Sequence, residues 1–509
     1  MLFKAETAEV DMVDYKKLQN GSDIRGIALE GVPGEEVNLS ELQAGAIASA
    51  YVEWLAHKVN KNPFELKICI GHDSRLSSDA LMRGLKKGIC IMGSRVWDAG
   101  LASTPAMFMS TVMPFFEFDG SIMVTASHLP WNRNGLKFFT AQGGLDKEDI
   151  TSILAKAAKI SFVGDWFESE PANVLEMYAA QLRQMISSGL ADIGGRLDGM
   201  HIVVDAGNGA GGFFATDVLA PLGADISGSR YLEPDGHFPN HQPNPENKEA
   251  MASICEAVIE SKADLGIIFD TDVDRSAAVG PDGKPIARNE IVALAAALGA
   301  DDYPGGTVVT DSITSNELHE FLENKLGLKH LRYRRGYRNV INKAIELSEQ
   351  GEQAFLAIET SGHAAFSDNY YLDDGAFLAV QIVVAAARLK REDKSIGSLL
   401  EGLESPLEAT EKRYKLTVED FQTLGTEILE AMEKWVENEE GLELEKPNYE
   451  GIRVNYDIDG AEGWFLMRKS LHDPVMPLNI ESQAEGGVDK IAARIDAFLD
   501  NFEGIKKPE

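Results

Sequence analysis

The sequence predicts several α/β domains closed by a smaller α+β module, and three observations predict it. Short β-branched runs end in loops rich in Gly, Asp and Ser, as in FELKICIGHDSR (64–75), DGMHIVVDAGNGAGG (198–212), ADLGIIFDTDVDR (263–275) and GGTVVTDSITSNEL (305–318). Ala/Leu-rich helical stretches follow these runs. Apolar strands alternating with helices imply sheets covered on both faces, with the working loops at the carboxyl ends of the strands. The C-terminal stretch breaks the pattern. It has an acidic helix (VEDFQTLGTEILEAMEKWVENEEG), alternating strands (YEGIRVNYDI, GWFLMRKS, LNIES) and a closing helix (VDKIAARIDAFLDNF).

Taken in order, 1–168 reads as a first α/β domain, closed near 165–190 by the connecting helix in GDWFESEPANVLEMYAAQLRQM. A second α/β domain spans 169–286 and ends at the turn PDGKPIARNE. The third, 287–405, finishes on a long Ala/Val helix before ESPLEATEKRYK, and the α+β module is 406–509. A length of 509 residues suits about three or four domains of ordinary size.

Lys and Arg number 48 against 81 Asp and Glu, a net charge of −33. Such a surface repels nucleic acid and anionic membranes, so neither is expected as a partner. A phosphate site must gather its own cations. The cysteines Cys69, Cys90 and Cys255 are far apart and odd in number, which points to a reducing compartment and no disulfide framework. No apolar run reaches the ~20 residues of a membrane span. The start MLFKAETAEVDMVDY is acidic and poor in Arg and Ser, unlike a signal or transit peptide.

Asp270, Asp272 and Asp274 follow the apolar strand LGIIF, two residues apart. Three such carboxylates converge on one cation when the loop curls, and oxygen-only ligands suit Mg²⁺ or Ca²⁺. An EF-hand is disfavoured, because Arg275 and Pro281 stand where Gly and Glu belong. A haloacid-dehalogenase-like pattern is disfavoured by Asp274 in the place of Thr or Val. A solvated acidic turn leaves the mutual repulsion of the three carboxylates unexplained.

Gly207, Gly209 and Gly212 satisfy G-x-G-x-x-G after a strand, with Glu233 downstream. A lone match is weak evidence for a dinucleotide, and a tight strand-to-helix turn needs the same small residues.

The stretch TASHLPWNRNGLKFF (125–139) pairs Ser127 with His128 and returns to Lys137. No G-x-S-x-G elbow surrounds the serine, and neighbours on a strand face opposite sides, so His128 need not reach Ser127. Phosphoryl transfer fits these residue types better: the serine carries the group, a divalent cation neutralises it, and Lys137 exchanges a proton. A plain turn serine is the bland alternative. Glu359 and Ser361 in ETSGH suit sugar hydroxyls, and Arg468 and Ser470 in RKSLHDP suit a phosphate.

In this order the loops resemble those of the α-D-phosphohexomutase family: phosphoglucomutases, phosphomannomutases and phosphoglucosamine mutases. The likeness begins at Gly21-Ser-Asp23-Ile-Arg25-Gly26 and continues through Gly71-His-Asp73-Ser-Arg75 and Ser103-Thr104-Pro105. TASHLPWNRNGLK is similar to the family's phosphoserine loop, T-x-S-H-N-P-x-x-x-N-G-x-K, with Leu129 where Asn is usual. In the C-terminal loop His472 replaces the Thr of R-x-S-x-T-x-P, and Asn479 stands where a second Arg is common. SHLPWNRNG and RKSLHDPVMPLNIES resemble a plant and algal branch, which sets the plastid stroma beside the cytoplasm as the expected location.

The resemblance implies four domains around a central cleft, three α/β with mixed sheets and one α+β. It implies a phosphohexose mutase that interconverts hexose 6-phosphate and hexose 1-phosphate of glucose or mannose, through a phosphoserine and a bisphosphorylated sugar. Ser127 then carries the phosphoryl group, with Lys137, His128, Arg25 and Arg275 as catalytic partners. Mg²⁺ is held by Asp270, Asp272, Asp274 and Ser127. Glu359, Ser361, His363, Gly336, Tyr337, Arg338, Arg468, Ser470 and His472 bind substrate. Glucose 1,6-bisphosphate or its mannose counterpart is the expected activator, and a monomer or homodimer the expected state. A non-catalytic phosphosugar binder and a phosphoglucosamine mutase are the alternatives.

Overall fold

The computed structural model describes residues 13–161, 164–470 and 473–508. The chain forms two compact units, Met1–Pro285 with Leu372–Ser395, and Ile286–Tyr371 with Ile396–Glu509.

The first unit contains two sheets. The larger has the spatial order Gln19–Asn20, Asp23–Ile27, Arg133–Thr140, Gly120–Val124, Lys67–His72, Arg95–Leu101 and Glu170–Pro171, with Gly143–Gly144 beside Arg133–Thr140. It is mixed: Lys67–His72 runs parallel to both neighbours, while Gly120–Val124 and Arg133–Thr140 are antiparallel. The helices Glu41–Val59 and Ser78–Ile91 lie against each other on one face. Their close approach requires glycine, since a Cβ at Gly84 or Gly88 would meet Glu41 O or Gly45 O at 2.2 or 2.1 Å. A core of Ile47, Leu55, Ile68, Ile70, Leu85, Ile122 and Val124 fills the space beneath.

In the second sheet Ile202–Asp205 is parallel to Leu265–Phe269, and Ser276–Val279 is antiparallel to the latter. The helix Val174–Gly189 follows part of the expected connecting segment. It packs with the Ala/Val-rich helix Gly375–Lys390: Tyr178 donates its hydroxyl proton to Asp374, and Arg388 pairs with Asp192. That late helix is thus part of the first unit.

The second unit contains the other two sheets. Lys329–Arg332, Thr307–Thr310 and Ala354–Ile358 are parallel, and Ala364–Phe366 runs antiparallel to Ala354–Ile358. The C-terminal sheet is antiparallel throughout, in the order Leu442–Leu444, Ile452–Ile458, Ala461–Met467, Val475–Ser482, Glu408–Leu416 and Ile505–Lys506. Phe421–Asn438 and Gly487–Leu499 supply its helical layer, burying Ile428, Met432, Ile491 and Ile495 with Phe465 and Leu478. No helix among the described residues is long and apolar enough to cross a membrane.

Candidate active site

Ser127 leaves the end of Gly120–Val124 in a turn with φ +51°. A serine holds this left-handed conformation only when its surroundings impose it. Here they do. The Ser127 N–H donates to Thr125 Oγ1 at 2.8 Å, and Thr125 Oγ1 donates to Asp73 Oδ2 at 2.7 Å. The buried Arg75 donates to four carbonyls of the loop: Ser127 and Leu129 at 2.5 Å, Pro130 at 2.8 Å and Arg133 at 2.9 Å. Asp73 lies 3.4 Å from Arg75 Nε, and both side chains are fully buried.

The turn aims Ser127 Oγ at the Asp270 loop, where it donates to Asp270 Oδ2 at 2.9 Å. Arg275 Nη2 lies 3.4 Å from the same Oγ, pairs with Asp270 at 3.1 Å, and donates to His128 Nδ1 at 2.7 Å. His128 Nδ1 is itself 3.2 Å from Ser127 Oγ. The strand argument, which let His128 point away, fails because Ser127 lies in a turn, where side chains do not alternate.

Lys137 comes from the antiparallel strand opposite, in register with Met123. Its Nζ donates to Asp272 Oδ2 at 3.0 Å and also to Asp274. Burial pulls this ammonium toward neutrality. Asp272, Asp274 and Asp23 more than offset that and hold its pKa well above the ordinary lysine value. Arg25 donates to the Thr125 carbonyl at 3.0 Å and pairs with Asp23 at 3.0 Å. Its strand lies so close that a Cβ at Gly135 would meet Ile24 O at 2.2 Å.

Asp270, Asp272 and Asp274 are buried and offer oxygens within 4.8 Å of one another. Burial and Asp274 raise the Asp272 carboxyl, but Lys137, a short bond from Thr104 Oγ1 (2.5 Å) and Arg25 leave its pKa below the usual value. Lys137 and Arg275 therefore bring two positive charges to three carboxylates. Among the described residues Asp272 Oδ1 has no hydrogen-bond partner. An all-oxygen set with net negative charge and an unused buried acceptor fits a hard divalent cation such as Mg²⁺. The loop is held from behind by Gly375, whose N–H donates to Val273 O at 3.1 Å; a Cβ at Gly375 would stand 2.5 Å from the Arg275 backbone.

In the second unit Glu359 follows Ala354–Ile358 and turns through Gly362, whose N–H returns to Glu359 O at 3.0 Å. Glu359 Oε1 accepts from the Gly336 N–H at 2.6 Å, at the start of the helix Tyr337–Glu349. Burial, then the nearby Asp311, push the Glu359 carboxyl up to about 7. Asp311 accepts from both the N–H and the hydroxyl of Thr360. Tyr337 stacks on His363 with ring centroids 5.3 Å apart. Ser361 Oγ is buried and has no hydrogen-bond partner among the described residues, and Arg338 is half-buried at the second position of the helix.

Arg468 follows Ala461–Met467, and its buried Nε has no hydrogen-bond partner among the described residues. Burial lowers its pKa, and Glu450 partly restores it. Ser470 Oγ accepts from the Asp473 N–H at 3.2 Å. Lys469 turns away to Thr426. His472 lies outside the described residues.

Thus Ser127, His128, Lys137, Arg25, Arg275 and the three aspartates converge, as do Glu359, Gly336, Tyr337 and His363. Asp73, Arg75, Thr104, Thr125 and Asp311 were not assigned from sequence. Asp73, Arg75, Thr104 and Thr125 lie in the motifs that carry the family likeness, and Asp73, Thr125 and Asp311 also lie just beyond strand ends.

A serine bound to an aspartate cluster, beside buried cations on α/β loops, is the arrangement of a cation-assisted phosphotransfer enzyme. Residues 16–163, 176–283 and 287–406 match the family described as phosphoglucomutase/phosphomannomutase, alpha/beta/alpha domains I, II and III. The chain belongs to the α-D-phosphohexomutase family. A phosphomannomutase/phosphoglucomutase of Pseudomonas aeruginosa is 28% identical over 425 residues, covering 83% of this chain and 85% of its own. A phosphoglucomutase/phosphomannomutase of Thermococcus kodakarensis is 28% identical over 478 residues, covering 92% and 95%. The crystal structure of a phosphoglucomutase/phosphomannomutase family protein from Burkholderia thailandensis superposes with a TM-score of 0.75 at 26% identity, covering 96% of this chain and 98% of the other.

Proposed function

We infer that this protein is a phosphohexose mutase that interconverts hexose 6-phosphate and hexose 1-phosphate of glucose, mannose or both. One observation carries the reading: Ser127 Oγ, presented by a left-handed turn, lies within 3.4 Å of Asp270 and Arg275. Relatives named for both sugars support it.

In the mechanism we assign, phospho-Ser127 gives its phosphoryl group to the free hydroxyl of the bound sugar phosphate. The bond from phosphorus to Oγ breaks and one to the sugar oxygen forms. The hydroxyl loses a proton and Oγ gains one, and Lys137, held as an ammonium, is the residue we assign to that exchange. The bisphosphorylated sugar then returns its other phosphate to Ser127. Arg275 and Arg25 balance charge on the moving group, and His128 is fixed beside Oγ by Arg275. Mg²⁺, when bound by Asp270, Asp272, Asp274 and the phosphorylated Ser127, supplies Lewis-acid neutralisation of phosphoryl oxygens. Glu359, Ser361 and His363, with Gly336, Tyr337 and Arg338, are assigned to the sugar, and Arg468 and Ser470 to a phosphate. A hexose 1,6-bisphosphate is assigned as the activator, because it restores an empty serine.

Ser127→Ala tests this directly. It is expected to lose at least about 10³-fold in turnover, the scale of removing a covalent nucleophile. The wild-type protein should gain one phosphate on Ser127 by intact mass and peptide mapping after glucose 1,6-bisphosphate and Mg²⁺. Near-normal turnover in the variant rejects the mechanism.

A further inference from the structure

The turn after Asp205 and the loop 240–246 take no part in the chemistry above, yet three side chains of that loop reach it. Gln242 Nε2 donates to the His128 carbonyl. Arg275 Nη1 donates to Asn244 Oδ1 at 3.3 Å, and Glu246 Oε2 lies 3.6 Å from the same nitrogen. The loop has no regular structure of its own, and Pro243 and Pro245 remove two backbone donors. Side-chain anchors must hold it instead.

The principal anchor is buried. His241 Nε2 lies 3.0 and 3.1 Å from the two oxygens of Asp205, and its Nδ1 lies 3.1 Å from the Gln242 carbonyl. Acceptors at both ring nitrogens favour an imidazolium. Burial opposes this charge, but Asp205 outweighs burial and raises the histidine above its ordinary value. Asp205 is itself fixed by Ser253 Oγ at 2.7 Å and the Gly207 N–H at 2.9 Å. Gly207, at φ +52°, leaves room for the loop: a Cβ there would stand 2.7 Å from Pro243 Cβ and 3.1 Å from His241 Cε1. Asn240 Nδ2 donates to Asn208 Oδ1 at 2.8 Å. The glycine-rich turn that mimics a dinucleotide motif is here the seat of another loop.

We propose that His241, backed by Asp205, is a positioning residue for phosphotransfer, seating loop 240–246 so that Gln242 and Asn244 fix His128 and Arg275 at Ser127. The inference rests on the mutase reading. Asp270 holds one edge of the Arg275 guanidinium, and Asn244 sets the direction of the other. A displacement of about an ångström at a charge-stabilising group costs on the order of a hundredfold in rate.

The test uses the full chain with Mg²⁺ and glucose 1-phosphate. His241→Asn and Asn244→Ala are made singly and together, with Gln242→Ala/Asn244→Ala as a further variant on the loop itself. Each is expected to lower kcat by about 10- to 100-fold with KM within about threefold. The His241→Asn/Asn244→Ala pair should be no slower than its slower single variant, because the Asn244 contact is one of those that His241 seats. Unchanged kcat in a folded His241→Asn protein, a change confined to KM, or effects that multiply would each overturn the proposal. If His241→Asn does not fold, Gln242→Ala/Asn244→Ala decides. Reduced kcat at an unchanged melting temperature supports the proposal, and wild-type kcat overturns it. Wild-type protein that fails to interconvert the hexose phosphates refutes the mutase reading itself, which separates the two failures.

Discussion

Arg75→Met removes a guanidinium from the centre of the Ser127 loop while keeping an unbranched chain about as long as the arginine stem. Four carbonyls, at 2.5 to 2.9 Å, lose their donor, and Asp73 keeps a buried charge without its partner. Hydrogen bonds to a charged group contribute about 1.5–3 kcal/mol each, so simple addition gives roughly 6–12 kcal/mol. The loop relaxes and admits water, and measured losses for breaking one side of a buried ion pair are about 3–5 kcal/mol. A local loss of about 4 kcal/mol lets residues 125–133 open about 10³ times more often. Hydrogen exchange by mass spectrometry reads this directly. Peptides over 125–133 should exchange faster by about that factor, while peptides over Glu408–Leu416 keep their wild-type rates. Exchange at 125–133 within about threefold of wild type would refute the argument that Arg75 imposes the loop.

Three further outcomes are expected. Glu359, raised from 4.5 to about 7, favours its protonated form in the fold, so its contribution to stability is full below about 4.5 and is lost as pH rises toward 7. If its carboxylate accepts from the sugar, kcat/KM should inflect near pH 7 and Glu359→Gln should remove that inflection; a persisting inflection assigns it elsewhere. Gly375→Ala forces a methyl to within 2.5–2.9 Å of the Arg275 backbone, so unfolding measurements should show a loss of about 1–3 kcal/mol together with slower turnover. Chelation by EDTA should stop turnover and Mg²⁺ restore it, while Asp272→Asn should raise the Mg²⁺ concentration needed; activity indifferent to EDTA would reject the cation site.

The parts of the site that sequence made legible are those in which chemistry sits on one short loop after one apolar strand. Asp270, Asp272, Asp274 and Arg275 are adjacent in the chain, so their grouping needed no knowledge of tertiary structure. Lys137 was legible because one hairpin returns it to Ser127. Arg75 was not, because its acceptors are backbone carbonyls 52 to 58 residues away, which carry no residue type to recognise. The strand rule left the orientation of His128 open, and a positive φ at Ser127, which breaks strand alternation, is what brings His128 Nδ1 to 3.2 Å from Oγ. The repulsion argument for a cation also overlooked Lys137 and Arg275, which neutralise much of the aspartate charge; Asp272 Oδ1 is the stronger support. The alternating strands of the C-terminal module and its two helices read well, because one-sided burial writes itself as a period of two or of 3.6. The long Ala/Val helix was recognised as a helix, but nothing in its composition named Val174–Gly189 as its companion.

That helix has a consequence for how the protein is made. Gly375–Lys390 completes the first unit only after Ile286–Tyr371 has been synthesised, although that segment belongs to the second. On a translating ribosome, the loop bearing Asp270 to Arg275 therefore waits for Gly375, and Tyr178 waits for Asp374. Bringing the ends of so long an excursion together costs on the order of 4 kcal/mol of chain entropy. The first half of the polypeptide is expected to emerge with its serine turn assembled and its cation loop still loose. A nascent chain stalled before residue 375 should then be protease-sensitive around 270–275, and one released past 395 should not.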